Sequence, residues 1–151
     1  MDNSISHNEL HQQCEQLADI FAVLQRCFLL KLSKELARGN VSFPQYFLLG
    51  FLSQSHALTM TEIAAKMTHT TAAATGMVDR LENLGYVLRA RSSEDRRKIT
   101  VQITPTGLEL VARIRSDMVN NLMEMMKSLE PEEQKMWLQI YTKILNYCVK
   151  K

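Results

Sequence analysis

The sequence predicts a mainly α fold (α+β): helices along most of the chain, interrupted once by a short β-ribbon. Three observations predict it. Residues 59–84 carry two short helical apolar stripes separated by a tight turn, a helix-turn-helix arrangement. Residues 86–104 alternate apolar and polar around a charged tip, as a hairpin does. Long helical stripes then stand at both chain ends, with no low-complexity segment, internal repeat or flexible linker between them.

Taken in order, residues 8–38 form a long helix with Leu10, Leu17, Phe21, Leu24, Phe28, Leu32 and Leu36 recurring at three and four. Gly39 and Asn40 end it. Ser42 caps a second helix, 43–55, which tolerates Pro44 in its first turn. Tyr46, Phe47, Leu49, Phe51 and Leu52 make that helix apolar nearly all round, so it is expected to be buried. A short loop at 56–58 leads to Thr59, whose spacing to Glu62 is that of a capping box opening helix 60–67. Ile63, Ala64 and Met67 are its stripe.

Thr68 and His69 make the turn, and Thr70 caps a second short helix running to about Leu84. Gly85 stands where a left-handed residue is wanted. This helix is expected to bury Ala74, Met77, Val78, Leu81 and Leu84. Its other face carries Ala72, Thr75, Gly76, Asp79 and Asn83. Small side chains there would let the helix sit deep in a DNA major groove; a plain solvated face fits the same pattern.

The hairpin weights the choice. Strand 86–91 and strand 98–104 flank a polar tip, with Ile99, Val101 and Ile103 expected inward. Five basic residues, Arg89, Arg91, Arg96, Arg97 and Lys98, face two acids, Glu94 and Asp95. That local excess of three exceeds the chain's net charge of +2. A basic hairpin directly after such a helix reads as a wing gripping phosphates or a minor groove.

Thr104 and Pro105 open a long helix to about residue 128, striped by Leu108, Val111, Ala112, Met118, Val119, Leu122, Met125 and Met126. Glu130 and Pro131 open the last helix, to about 149, striped by Met136, Trp137, Ile140, Tyr141, Ile144, Leu145 and Cys148. These helices cannot all bury their stripes on one small winged lobe. A two-fold dimer through them is expected, placing two recognition helices on one face of DNA.

At 151 residues the chain suits one domain or two tightly merged halves. No apolar run approaches the roughly 20 residues of a membrane span, and the polar first ten residues do not read as a signal peptide. A cytoplasmic protein without a membrane partner is expected. Cys14, Cys27 and Cys148 have no paired spacing, and His7, His11, His56 and His69 no acids at ligand spacing, so no metal or cofactor is expected. The cysteines are expected to be buried as small hydrophobes. No nucleophile–base set or phosphate-cradling glycine loop supports an enzyme.

The segments Leu58-Thr-Met-Thr-Glu-Ile-Ala, Thr75-Gly-Met-Val-Asp-Arg-Leu-Glu-Asn-Leu-Gly-Tyr-Val, Asp95-Arg-Arg and Ile103-Thr-Pro-Thr-Gly together resemble the successive motifs of the MarR family of winged helix-turn-helix regulators. The resemblance covers essentially the whole chain. It implies a single domain over 1–151, with a DNA-binding lobe at 43–104 and dimerisation helices at 8–38 and 105–149. It implies a homodimeric transcriptional regulator, usually a repressor, on a pseudo-palindromic duplex. A small phenolic or amphipathic effector would bind between the dimer helices and the DNA-binding lobe and release it.

On this chain the DNA contacts would come from Thr70, Thr71, Ala72, Thr75, Gly76, Arg80, Asp95, Arg96 and Arg97. Asp95 would orient Arg97 into the minor groove. Gly76 departs from the family, where a basic residue is common after Thr75. One branch of the family senses peroxide through a cysteine set before a Tyr-Pro-Gln-Tyr-like segment. Phe43-Pro-Gln-Tyr is similar, but neither Cys14 nor Cys27 falls at that distance, so a thiol switch is the lesser reading. A winged helix used for protein–protein contact is the other; the basic wing disfavours it.

Overall fold

The structure, a computed structural model, describes residues 6–55, 57–91 and 98–150. The order is α1 (His7–Arg38), α2 (Phe43–Ser55), β1 (Ala57–Thr59), α3 (Met60–Met67), α4 (Thr71–Asn83), β2 (Val87–Arg91), β3 (Ile99–Ile103), α5 (Pro105–Met126) and α6 (Pro131–Val149). The chain divides into two compact units, one ending at Ile114 and the other running from Arg115.

The first unit holds the helix-turn-helix and the sheet. Ser6 and Glu9 close a capping box that starts α1. The left-handed residue after α1 is Asn40, at φ 54°, one place later than Gly39. Strand order is β1-β3-β2, antiparallel throughout. The segment expected to be a loop thus contributes a third strand, with Leu58 opposite Val101. Three residues are too few to show an alternation, and their partner lies over forty positions away, so only tertiary pairing defines them.

The core of this unit is built on Leu48, Leu49, Leu52, Ile63, Leu81 and Ile114, all fully buried. Burying each such side chain stabilises by about 1.5–3 kcal/mol relative to exposure. The apolar wrap of α2 is only partly covered: Phe47 stays 56% exposed. Val101 is buried and Ile103 half-buried, but Ile99, expected inward, is exposed because the sheet's covered face ends before it. On α5 the buried residues are Gly107, Leu110 and Ile114, while of the expected stripe Leu108 is exposed and Val111 packs partly buried against the core. A glycine carries no hydrophobic signal, so the start of this buried face was hidden in the sequence.

The second unit pairs the rest of α5 with α6. The Glu130–Glu133 capping box starts α6. Gln134 Nε2 donates to the carbonyls of Met126 and Leu129, at 3.0 and 2.9 Å, and so satisfies the end of α5. Trp137 and Tyr141 meet edge to face at 5.8 Å. With Leu122, Met126 and Leu138 they line an apolar cleft of about 320 Å³. No residue of α6 is buried.

The apolar stripes at both ends therefore stand open in the single chain. Leu17 and Phe21 on α1, and Ile140, Ile144 and Leu145 on α6, are all at least 47% exposed. The three thiols share this fate: Cys14, Cys27 and Cys148 are exposed, where burial was expected. They lie on helices whose apolar stripes are largely exposed in the single chain. Among the described residues, no helix is long and apolar enough to cross a membrane.

Candidate nucleic-acid interface

Local chemistry fixes the two short helices. Thr59 Oγ1 accepts the Glu62 amide at 3.3 Å, and the Thr59 amide donates back to Glu62 Oε2 at 2.7 Å. That backbone N–H is the main reason the Glu62 carboxyl is held below its ordinary range. Thr68 takes a left-handed φ of 53° at the end of α3. Its amide and that of His69 return to the carbonyls of Ala65 and Ala64, at 3.2 and 3.0 Å, which makes the turn tight. Thr70 Oγ1 then accepts the Ala73 amide at 3.3 Å and starts α4.

On α4, Ala74, Val78 and Leu81 are fully buried and Met77 and Leu84 half-buried, the face read from the sequence. Thr70, Thr71, Ala72, Gly76 and Arg80 are exposed, and Thr75 is half-buried. The Thr75 hydroxyl donates to the Thr71 carbonyl at 2.8 Å. Its proton is committed within the helix, so only its lone pairs and methyl remain for a ligand.

Gly76 lies mid-helix, and a Cβ built there meets nothing within 4 Å. Gly76→Ala is therefore expected to stabilise the isolated protein by up to about 1 kcal/mol, seen as a raised thermal midpoint.

Charge is arranged differently from the sequence count. Arg89, on β2, is not part of an open basic surface. Its guanidinium reaches α4, pairing with Asp79 at 2.6 Å and with Glu82 through a very short contact. Its backbone amide also donates to Glu82 Oε1, at 3.0 Å. The bond to Asp79 is the main reason its protonated form is held even more firmly than usual. Arg89 thus locks β2 to α4 and offsets one of the two negative charges that Asp79 and Glu82 place on the helix. Sequence spacing gave no sign of it, since Arg89 is ten and seven positions from its partners on a different element.

Arg89→Ala removes the two side-chain hydrogen bonds of this half-buried joint, while the backbone amide's bond to Glu82 remains, and is expected to cost about 1–3 kcal/mol by denaturant unfolding. Arg89→Lys should restore only part, because an ammonium cannot span both carboxylates as a fork does.

Arg80 has a different environment. Its Nη2 donates to Asn40 Oδ1 at 3.1 Å, rather than to the acids beside it on α4. Asp95, Arg96 and Arg97 lie outside the described residues, so the structure brings together Thr70, Thr71, Ala72, Thr75, Gly76 and Arg80 on one short helix and leaves the wing tip to the sequence. Among the described residues, no cluster of His, Cys, Asp or Glu could hold a metal ion.

At the wing's base, Thr104 Oγ1 donates to the Gly85 carbonyl at 2.7 Å and accepts the Gly107 amide at 3.1 Å. The Thr104 amide donates to the Tyr86 carbonyl at 3.0 Å. One residue, through its side chain and its backbone amide, therefore ties the end of the helix-turn-helix, the wing and the start of α5.

Residues 41–99 match the model of the MarR family. Among curated relatives, the HTH-type transcriptional regulator YfiV of Bacillus subtilis is 34% identical over 95 residues, covering 63% of this chain and 59% of the relative. The matched stretch thus spans less than two thirds of that relative's length. A MarR family protein from Bacillus stearothermophilus has the same fold, with a TM-score of 0.79 at 20% identity over 97% of this chain and 99% of that one. So does Staphylococcus aureus MepR in a complex with DNA, with a TM-score of 0.73 at 22% identity over 87% and 98%. The family model falls on the helix-turn-helix and hairpin built above, and the chain belongs to the MarR family.

Proposed function

We propose that the protein is a homodimeric transcriptional regulator, acting as a repressor on a pseudo-palindromic duplex. Helix α4 reads the major groove with Ala72, Thr75 and their neighbours, and Thr70, Thr71 and Arg80 meet phosphate. Asp95, Arg96 and Arg97 of the wing hold the adjacent backbone and minor groove. The observation that carries this reading is the exposed face of α4. It is nearly bare of side chains around Gly76, and its own acids are taken up by Arg89. A bare helix face whose carboxylates are drawn into a bridge with a guanidinium suits close approach to a polyanion better than one with both acids unpaired. MepR, with the same fold, has been solved on DNA.

A glycine left where alanine would be more stable also fits a surface selected for close approach. Gly76→Ala should then weaken duplex binding even as it stabilises the protein.

The open stripes on α1, α5 and α6 support the dimer, since a soluble monomer rarely leaves so many large apolar side chains exposed along its helices. A small amphipathic or phenolic effector releasing the DNA is the regulation proposed with it, and a cytoplasmic location follows from the role. Light scattering at micromolar concentration should give twice the chain mass of 17.3 kDa. A duplex from the region upstream of the protein's own gene should be shifted with two chains bound. A monodisperse monomer that shifts no duplex would sink the proposal.

A further inference from the structure

The turn after α1 is joined to the helix-turn-helix at two points. Gly39 offers its carbonyl to the Tyr86 hydroxyl, at 3.0 Å. Asn40 offers its side-chain oxygen to Arg80 Nη2, at 3.1 Å, across forty positions of sequence. Asn40 itself is held in a left-handed conformation, φ 54°, with its amide bonded to the Ala37 carbonyl at 3.1 Å. Asparagine and glycine enter that region more readily than other residues. The amide oxygen is thus presented from a fixed backbone.

The partner's chemistry is informative. Arg89 is held by two carboxylates, which cancel its charge. Arg80 is held by a neutral acceptor and, among the described residues, makes no ion pair. A guanidinium has five N–H donors. One on an amide oxygen orients the group and leaves its full positive charge, with the remaining donors, for an anion. An exposed arginine left to itself would lose rotamer freedom on meeting a phosphate; one already oriented loses less.

We infer that Asn40 is a positioning residue for DNA binding: its amide oxygen aims Arg80 at the phosphate backbone and ties that contact to the end of α1. This rests on the reading of α4 as the DNA-contacting helix. Because a phosphate contact is independent of sequence, a random-sequence duplex is a sufficient probe.

The test is fluorescence anisotropy with that duplex over a salt series, together with thermal melts. The variants are Asn40→Gly, Asn40→Asp, Arg80→Ala and the double change Asn40→Gly with Arg80→Ala. Arg80→Ala should weaken binding about tenfold and flatten the salt dependence by about one ion per protomer. Asn40→Gly keeps the backbone conformation and deletes the acceptor, so it should cost roughly two- to fourfold with little change in melting. The double variant should bind no worse than Arg80→Ala, as coupled sites do. Asn40→Asp keeps an acceptor in place but cancels the charge, so it should lose more affinity than Asn40→Gly while melting as the parent does.

If Arg80→Ala weakens binding and Asn40→Gly does not, the positioning role is wrong and the DNA reading stands. Strictly additive losses, or Asn40→Asp binding as well as the parent, also overturn it. If Arg80→Ala changes nothing, the inference falls together with the assignment of Arg80 to DNA. DNA binding itself is still judged by whether the parent protein binds the duplex.

Discussion

Gly107→Ala is expected to be the most damaging single methyl group in the molecule. A Cβ on Gly107 would overlap the Tyr86 carbonyl oxygen and lie 2.8 Å from Ile103 Cγ1. Neither neighbour can yield cheaply. The Tyr86 carbonyl accepts the Thr104 amide at the base of the wing, and Ile103 ends β3 opposite Val87. Glycine is needed here for closeness rather than for an unusual φ, because α5 must start directly against the strand that precedes it.

Overpacking of this kind costs about 1–3 kcal/mol and sometimes more, and the gain in helix propensity returns only about 1. With backbone on one side of the clash, a net loss of about 3 kcal/mol is expected, or a midpoint lower by roughly 10 °C. Calorimetry or circular dichroism would check it. The contrast with Gly76→Ala, expected to stabilise, makes a matched pair: the same substitution in two helices, with opposite signs set by what each Cβ would meet.

Much of this architecture could be read from local sequence. The bounds of α2 and α3 follow from apolar spacing and the Thr59–Glu62 capping box, and Gly85 takes the left-handed φ, 75°, that its place after α4 demands. The buried and exposed faces of α4 follow from a 3.6-residue period alone. What escaped the sequence is non-local. β1 exists only because Leu58 meets Val101. Arg89 counts as a wing charge until the fold sets it against Asp79 and Glu82. The buried face of α5 begins at a residue without a side chain.

The candidate site divides in the same way. The composition of the α4 face was legible, whereas the partners of Arg80, Arg89 and the Thr75 hydroxyl required the folded chain. The exposure of Cys14, Cys27 and Cys148 was not legible either, since an apolar helical stripe looks the same whether it packs within one chain or between two.

The largest functional effect is expected from Arg97→Ala. By resemblance to the family, Asp95 orients Arg97 into the minor groove, whose base pattern distinguishes only A·T from G·C but whose narrowing at A·T tracts attracts an arginine. The substitution removes one charge from each chain of the proposed dimer, so affinity should fall strongly. The salt dependence should flatten by about one to two ions' worth, because fewer counterions are released. Thr75→Val is its complement. It keeps the side chain's shape and deletes a hydroxyl that already donates to Thr71. It should cost about 1–3 kcal/mol on the cognate duplex if the oxygen accepts from a base, and little on random DNA.

The most direct measurement is the salt dependence of binding to the duplex upstream of the protein's own gene, by fluorescence anisotropy, for the parent and Arg97→Ala side by side. The winged-helix account predicts a steep slope for the parent and a weaker, flatter one for the variant. Equal affinities and equal slopes would contradict it, and would leave the basic hairpin a solvated turn with no place on DNA.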